Sequence, residues 1–211
     1  MDRYEALIVD FGGVLTTSLD KSMAAFAGVL GIEFQDLVRA ALRAYSGYED
    51  DLVKGFETGK IPEEEFSIGF AKRLEEETGK TIDPSGLVDR IFETLEPEEE
   101  MYTAVERAKA AGLKTALCSN SWGMGLYPLE RFPGLFDVVV ISGEVGMRKP
   151  DREIFDLTVQ RLGLGHDVCV FVDDHPGHLA TAKEIGMSTV LHRSPSATIS
   201  ELQDLLGIEL G

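Results

Sequence analysis

The chain is poor in cysteine and contains no long hydrophobic run. Only two cysteines, Cys118 and Cys169, occur among its 211 residues, and both lie in apolar stretches. This number excludes a disulfide framework or a zinc site built on paired cysteines, and we expect both thiols to be buried core residues. No apolar stretch approaches the roughly 20 residues that cross a membrane, and the N-terminal run is too short for a signal peptide. We therefore expect a cytoplasmic protein without a membrane partner.

Positive charge is also scarce. The chain has 20 lysines and arginines against 37 aspartates and glutamates, a formal net charge of −17. Such an excess of negative charge repels phosphate backbones, which argues against nucleic acid or an anionic membrane as a partner. The remaining composition is typical of a soluble globular protein, long enough to bury one large core with or without a smaller accessory domain.

Five short apolar runs predict buried strands of a parallel sheet, because they do not alternate with polar residues. They lie at 6–10, 114–118, 138–141, 168–172 and 188–191. Helical patterns at 101–111, 150–162 and 176–185 separate the later runs, and a capping-box pattern, Thr198 to Glu201, predicts the start of a last helix. This alternation predicts an α/β fold with a doubly wound, Rossmann-like parallel sheet.

The connection between the first two strands is unusually long. About a dozen residues suffice for a parallel crossover, yet about a hundred separate these two runs, and they carry helical apolar stripes. We predict four amphipathic helices that bury these stripes against one another. The predicted division is therefore a core domain of residues 1–16 and 98–211 and an inserted helical domain of residues 17–97.

Polar residues stand at or just after the ends of the predicted strands. In an open parallel sheet, ligands bind beyond the carboxyl ends of the strands, so we expect these side chains to meet. A glycine turn, Gly12-Gly13, follows the first of them and leaves the backbone free to approach a ligand. The residues are Asp10, Ser119, Asn120, Lys149, Asp173 and Asp174.

These residues occur in four motifs that resemble those of the haloacid dehalogenase-like (HAD) superfamily. Asp10-Phe11-Gly12-Gly13-Val14 matches its first motif, Ser119 the second, Lys149 the third and Asp173-Asp174 the fourth. The resemblance implies a Rossmann-like core with an inserted helical cap and, for most members, a magnesium-dependent phosphatase. The motifs are similar to those of a subgroup with bacterial sugar-1-phosphate phosphatases, which is related to the phosphatase domain of bifunctional epoxide hydrolases.

The resemblance also implies a role for each motif residue. Asp10 would be the nucleophile that forms an aspartyl-phosphate. Mg²⁺ would be held by the side chains of Asp10 and Asp174 and by the Gly12 carbonyl oxygen, with Asp173 acting directly or through a water. The substrate would be a small phosphorylated metabolite, such as a sugar phosphate, and the protein a monomer or a homodimer. Three residues would bind and stabilise the phosphoryl group: Ser119, Asn120 and Lys149.

Gly12 departs from the family pattern, because most family phosphatases have a second aspartate there. That aspartate protonates the leaving oxygen and then deprotonates water, help that is worth about a hundredfold to ten-thousandfold in rate. Without it, we expect slow turnover or a preference for good leaving groups such as anomeric or acyl phosphates. His175 is a candidate replacement, or simply an exposed residue at a helix start. His178 stands where many relatives have asparagine.

Two further sets of residues have two interpretations each. Trp122 either lines the mouth of the pocket or packs against the cap. Arg39, Arg43 and Tyr45 either face the substrate from a cap helix or, for the arginines, lie on a solvated helix face.

Two other functions are compatible with the missing aspartate. One is a 2-haloacid dehalogenase, in which Asp10 attacks carbon without a metal. Dehalogenases usually have an aromatic residue at the position of Gly12, however, and the paired carboxylates of the fourth motif suit a metal better. The other is a non-catalytic binding protein on the same fold, against which the retained Asp10, Lys149 and Asp174 argue.

Overall fold

A computed structural model of the chain describes residues 4–42 and 51–211. Its strands are β1 (Ala6–Val9), β2 (Lys114–Ser119), β3 (Val138–Ile141), β4 (Cys169–Asp173) and β5 (Ser188–Leu191). They form one parallel sheet in the order β3-β2-β1-β4-β5. The chain moves outward from β1 in one direction and then returns to β4 on its other side. The predicted doubly wound sheet is therefore confirmed, with its topological switch point between β1 and β4.

The helices of the described residues follow the predicted alternation with strands. Between β1 and β2 lie α1 (Leu19–Leu30), α2 (Phe34–Leu42), α3 (Asp51–Glu57), α4 (Glu63–Thr78), α5 (Leu87–Ile91) and α6 (Glu99–Ala110). The later helices are α7 (Ser142–Val145), α8 (Arg152–Leu162), α9 (Pro176–Glu184) and α10 (Pro195–Leu206). None of the helices in the described ranges combines the length and the hydropathy needed to cross a bilayer.

Both faces of the sheet are covered by helices. Helices α6 and α10 pack on one face, and α8 and α9 pack on the other. This explains why the strands have continuous apolar sequences, since neither face of the sheet meets water. Cys118 and Cys169 are free and fully buried, as predicted.

Helices α1–α5, called the inserted helices below, surround a hydrophobic cluster of their own. Its centre is an aromatic stack in which the ring of Phe66 lies 4.1 Å from that of Phe56 and 5.3 Å from that of Phe70. The chain enters and leaves this region at one place, where Thr17 N donates to Glu96 O at 2.8 Å. The division at 16/17 and 97/98 stays a prediction.

Two predictions of local structure were wrong. The last helix begins at Pro195 rather than at Thr198, and Ser194 is its N-cap, accepting from Ala197 N at 3.4 Å. Proline at the first helical position favours this earlier start, and the Thr198 hydroxyl hydrogen-bonds to His192 instead. Between β1 and α6, residues 10–42 and 51–98 also contain five helices where four were predicted.

Candidate active site

A cavity of about 380 Å³ opens at the carboxyl ends of β1 and β4. Its walls come from two parts of the chain, the loops that follow the strands and the inserted helices. The loops contribute Asp10, Gly12, Asn120, Trp122, Asp174, His175, Pro176 and His178. The inserted helices contribute Leu19, Asp20 and Glu57. The cavity therefore lies where the predicted motifs were expected to meet.

Lys149 lies between two carboxylates at the floor of this site. Its Nζ is 2.8 Å from Asp10 Oδ2 and 2.6 Å from Asp173 Oδ2, and its side chain is fully buried. The other oxygen of Asp10 accepts a hydrogen bond from Phe11 N at 2.7 Å. Asp173 Oδ1 accepts one from His175 N at 2.8 Å. Both carboxylates are thus fixed in position by the backbone and by one shared ammonium.

The ammonium of Lys149 stays charged in spite of its burial. Desolvation lowers the pKa of a buried lysine, but the charges of Asp10 and Asp173 outweigh this effect and raise it. Burial raises the pKa of Asp173. The charge of Lys149 and a hydrogen bond with His178 lower this pKa by a larger amount, so that the net shift is downward. The pair is therefore ionised across the physiological range.

The other two carboxylates are not fully compensated. Burial raises the pKa of Asp10 to about 7, because the effect of Lys149 does not offset it and Asp173 repels a second negative charge. Desolvation and Asp173 raise the pKa of Asp174 to about 6, and the charge of Asp20 adds to them. Three carboxylates share one ammonium, so the site attracts a further cation.

The residues around this uncompensated charge fit a magnesium ion. The Asp174 carboxylate lies directly over the turn after β1, since a Cβ built on Gly13 would be 2.2 Å from Asp174 Oδ2. Gly13 also has φ 73°, so only glycine suits this position. Within the described residues, the Gly12 carbonyl accepts no hydrogen bond. Two carboxylates and a carbonyl oxygen are the hard donors that Mg²⁺ prefers.

A second group of ligand atoms lies deeper in the site. Asp10, Asp173 and His178 have one ligand atom each within 4.8 Å of one another. The Lys149 ammonium already lies between the two carboxylates, however, and His178 Nδ1 is hydrogen-bonded to Asp173 at 3.0 Å. Both oxygens of Asp173 are therefore engaged by Lys149 and His178, whereas Asp10 and Asp174 line the cavity. The role of Asp173 as a metal ligand, directly or through a water, stays a prediction.

The residues of the second motif are held by their neighbours. Ser119 Oγ lies 2.9 Å from Tyr127 OH. The Asn120 amide makes two bonds to the backbone of Lys149, donating to its carbonyl at 2.9 Å and accepting from its N–H at 2.7 Å. In this arrangement Asn120 joins the second motif to the third and positions Lys149. Its role in substrate binding stays a prediction, as does that of Ser119.

The structure places the remaining candidates as follows. Both interpretations of Trp122 apply, because it lines the cavity and also packs against the inserted helices. Its ring lies edge-on to those of Phe66 at 5.8 Å and Phe92 at 5.6 Å. His175 is exposed and caps α9, its Nδ1 accepting from Gly177 N at 3.1 Å.

On α2, Arg39 is mostly exposed and pairs with Asp36 and Glu77. It therefore lies on the solvated face that was one of its two interpretations. Arg43 and Tyr45 lie outside the described residues.

Sequence reasoning missed the contribution of the inserted helices. Glu57, at the end of α3, is buried in the cavity wall and pairs with Arg148, the neighbour of Lys149, at 2.5 Å. Ser142 Oγ donates to the Glu57 carbonyl at 2.5 Å. No motif marks Glu57 or Asp20, and Arg148 is distinguished in the sequence only as the neighbour of Lys149 in the third motif. Their positions depend on how the helices pack on the core.

Comparison with known proteins identifies the family. The model of the haloacid dehalogenase-like hydrolases matches residues 4–186, and the chain belongs to this family of enzymes. It is 33% identical to mouse (Mus musculus) acyl-CoA dehydrogenase family member 10 over 217 residues, 98% of this chain and 20% of that protein. It is 27% identical to pig (Sus scrofa) bifunctional epoxide hydrolase 2 over 231 residues, 97% of this chain and 39% of that protein. The chain thus spans less than half the length of these two relatives.

A sesquiterpene phosphatase of Aspergillus oryzae is a shorter relative. It is 29% identical over 117 residues, which cover 54% of this chain and 59% of that enzyme.

Solved structures share the fold. A HAD-like hydrolase of Porphyromonas gingivalis superposes with a TM-score of 0.70 at 22% identity, covering 97% of this chain and 98% of its own. A HAD family enzyme of Bacteroides thetaiotaomicron, in complex with magnesium and inorganic phosphate, gives 0.64 at 22% identity and covers 90% and 94%. An L-2-haloacid dehalogenase of Xanthobacter autotrophicus gives 0.61 at 18% identity and covers 95% and 82%. The fold alone thus does not separate phosphatase from dehalogenase.

Proposed function

We propose that the protein is a magnesium-dependent phosphatase that hydrolyses a small phosphorylated metabolite, with Asp10 as the nucleophile. The observation that carries this proposal is the position of Asp10. Its carboxylate opens on the cavity at the end of the central strand, with one cation, Lys149, at 2.8 Å and a second carboxylate, Asp174, over the adjoining turn. A second carboxylate beside the nucleophile suits a metal-assisted attack on phosphorus better than a metal-free attack on carbon.

The reaction proceeds in two displacements. A carboxylate oxygen of Asp10 attacks phosphorus, the bond from phosphorus to the leaving oxygen breaks, and an aspartyl-phosphate forms. Water then attacks the same phosphorus and loses a proton, the bond to Asp10 breaks, and inorganic phosphate is released. The Lys149 ammonium holds Asp10 in place and offsets the charge that develops on the phosphoryl oxygens.

The site would bind Mg²⁺ through Asp10, the Gly12 carbonyl oxygen and Asp174. When bound, the ion supplies positive charge that lets an anionic carboxylate approach an anionic phosphate. Asp173 supports the site by fixing Lys149. A relative named as a phosphatase and a structural neighbour that binds magnesium and phosphate support this assignment.

The glycine at position 12 restricts the chemistry. No side chain at this position can protonate the leaving oxygen, so substrates whose leaving groups need little protonation are favoured. Sugar 1-phosphates and acyl phosphates meet this requirement better than simple alkyl phosphates do. The preference is part of the proposal.

Phosphate release tests the function directly. The purified chain is assayed with sugar 1-phosphates, acyl phosphates and alkyl phosphates, in magnesium and in chelator. We expect release that depends on magnesium and falls at least about a thousandfold in Asp10→Asn. Asp204→Asn is the matched control, because Asp204 is an exposed aspartate on α10 outside the cavity lining.

Two outcomes would reverse the assignment. Chloride release from 2-chloropropionate without magnesium would make the protein a dehalogenase. Tight magnesium binding without turnover of any phosphate ester or acyl phosphate would favour the non-catalytic alternative.

A further inference from the structure

The turn after β1 has no side chain where the proposed reaction needs a proton carrier, and an inserted helix covers this gap. A Cβ built on Gly12 would lie 3.0 Å from Cδ1 and 3.3 Å from Cδ2 of Leu19. Leu19 is the first residue of α1, so the first turn of this helix stands over Gly12. The space that a side chain at position 12 would enter is thus bordered by α1.

Asp20 follows Leu19 in the same turn of α1 and contributes to the cavity that contains Asp10 and Gly12. It is exposed, and within residues 4–42 and 51–211 its carboxylate takes part in no hydrogen bond or ion pair. Its charge acts on Asp174, as described above. A free carboxylate therefore faces the cavity from the side of the inserted helices.

Four other polar side chains of the cavity wall each take part in a hydrogen bond or an ion pair. Asn120 holds the backbone of the third motif through both ends of its amide. Glu57 is buried and paired with Arg148. His175 and His178 each use Nδ1 in a hydrogen bond next to the metal-binding carboxylates. Beyond the nucleophile and the proposed metal ligand, Asp20 is the unengaged carboxylate among the described lining residues.

We propose that Asp20 is the general base that activates water for hydrolysis of the aspartyl-phosphate, an assignment that rests on the proposed phosphatase function. In-line displacement brings the water to phosphorus from the side opposite Asp10, within the cavity that Asp10 and Asp20 both line. A water O–H bond breaks and its proton passes to the Asp20 carboxylate. The water oxygen bonds to phosphorus, the bond between phosphorus and the Asp10 oxygen breaks, and its electron pair returns to the Asp10 carboxylate. The proton on Asp20 is then lost to solvent.

This assignment predicts a specific kinetic defect. In Asp20→Asn, formation of the aspartyl-phosphate proceeds while its hydrolysis slows by about a hundredfold. With p-nitrophenyl phosphate and magnesium, we expect a burst of one p-nitrophenolate per enzyme followed by slow turnover. Acid-quenched samples analysed by intact-mass spectrometry should show the phosphorylated chain accumulating. A structural defect would lower the burst as well.

Two further variants sharpen the test. Asp89→Asn is the matched control, because Asp89 is an exposed aspartate in the first turn of inserted helix α5 and outside the cavity lining. It should show neither a burst nor accumulation. Gly12→Asp in the Asp20→Asn background supplies a carboxylate beside the same space. Gly12 has no positive φ, and the atoms nearest to a Cβ added there belong to the flexible Leu19 side chain, so we expect hydrolysis to recover.

The outcomes separate this inference from the proposed function. Suppose that the wild-type chain turns over normally. Unchanged turnover in Asp20→Asn, or a loss of its turnover without accumulation of the phosphorylated chain, would then overturn the inference alone. Accumulation in His175→Asn but not in Asp20→Asn would assign the base to His175 and also overturn it. Failure of the wild-type chain to release phosphate from any substrate would overturn the function and the inference together.

Discussion

The cavity has two walls. The core wall, formed by the loops after the strands, takes its polar side chains from strand ends and the loops that follow them. The helical wall, formed by the inserted helices, takes them from the ends of α1 and α3. On the core wall, Asp10, Lys149 and Asp173 are buried and joined by contacts of 2.6 to 2.8 Å. On the helical wall, Asp20 is exposed, and Glu57 contacts Arg148 and Ser142 of the core as described above. The core wall is thus cross-linked by buried ion pairs, whereas Asp20 on the helical wall has no such partner among the described residues.

The largest effect should follow from breaking the core wall. Lys149→Met leaves Asp10 and Asp173 buried without their counter-charge, which costs about 3–5 kcal/mol of unfolding free energy and abolishes turnover. Urea denaturation and phosphate release measure the two losses. The double variant Lys149→Met/Asp173→Asn should recover part of the stability and none of the activity. A double variant no more stable than the single one would contradict the charge argument.

The helical wall should give a smaller and more local effect. Glu57→Gln removes the charge that balances buried Arg148, and we expect a loss of roughly 2–3 kcal/mol. Hydrogen exchange should rise in α3 and α7 and stay unchanged in β1, because the pair joins the two walls. Glu64→Gln, an exposed glutamate on α4, serves as the control. Equal increases throughout the chain would mean that the pair supports the whole fold rather than this junction.

The uncompensated charge of the core wall should appear in the pH dependence of the metal-free protein. Asp10 has a pKa of about 7 when folded and 3.8 as its ordinary value, so the folded state binds the extra proton and loses stability as pH rises towards 7. Between pH 6 and 8 we expect a loss of about 1 kcal/mol, or about 3 °C in Tm. His178 and His192 have lowered pKa values and act in the opposite direction below about 6.5.

Thermal denaturation in chelator measures this slope, and Asp10→Asn isolates the aspartate because the histidines are retained. The variant should flatten the curve above pH 6.5, and magnesium should flatten it in the wild type. An identical slope in both chains would show that Asp10 is already ionised when folded.

The smallest effect should come from the second motif. Tyr127→Phe removes the hydroxyl that lies 2.9 Å from Ser119 Oγ, at a cost of about 1 kcal/mol. The Ser119 hydroxyl is then freer to turn, so KM should change by more than kcat. Substrate titration distinguishes the two parameters, and a change in kcat alone would indicate a role in the chemical step.

The difference between the walls also explains what the sequence could predict. Strand ends converge at one edge of a parallel sheet, so Asp10, Lys149 and Asp173 could be brought together from their positions at or after the ends of the predicted strands. The different contacts of the two aspartates in the fourth motif could not be predicted, because Asp173 and Asp174 are adjacent in sequence. Only the fold shows that Asp173 pairs with Lys149. The contributions of Asp20 and Glu57 depend on how helices pack, which no local pattern specifies.

The position of Trp122 has a spectroscopic consequence. It is the only tryptophan of the chain, carried by the loop after β2 and packed against two phenylalanine rings of the inserted region. The indole emission of the intact protein therefore comes from one residue at the cavity, on the boundary between the two walls. A ligand that enters, or a helix that shifts, changes the surroundings of this single fluorophore, so occupancy can be followed optically without any label.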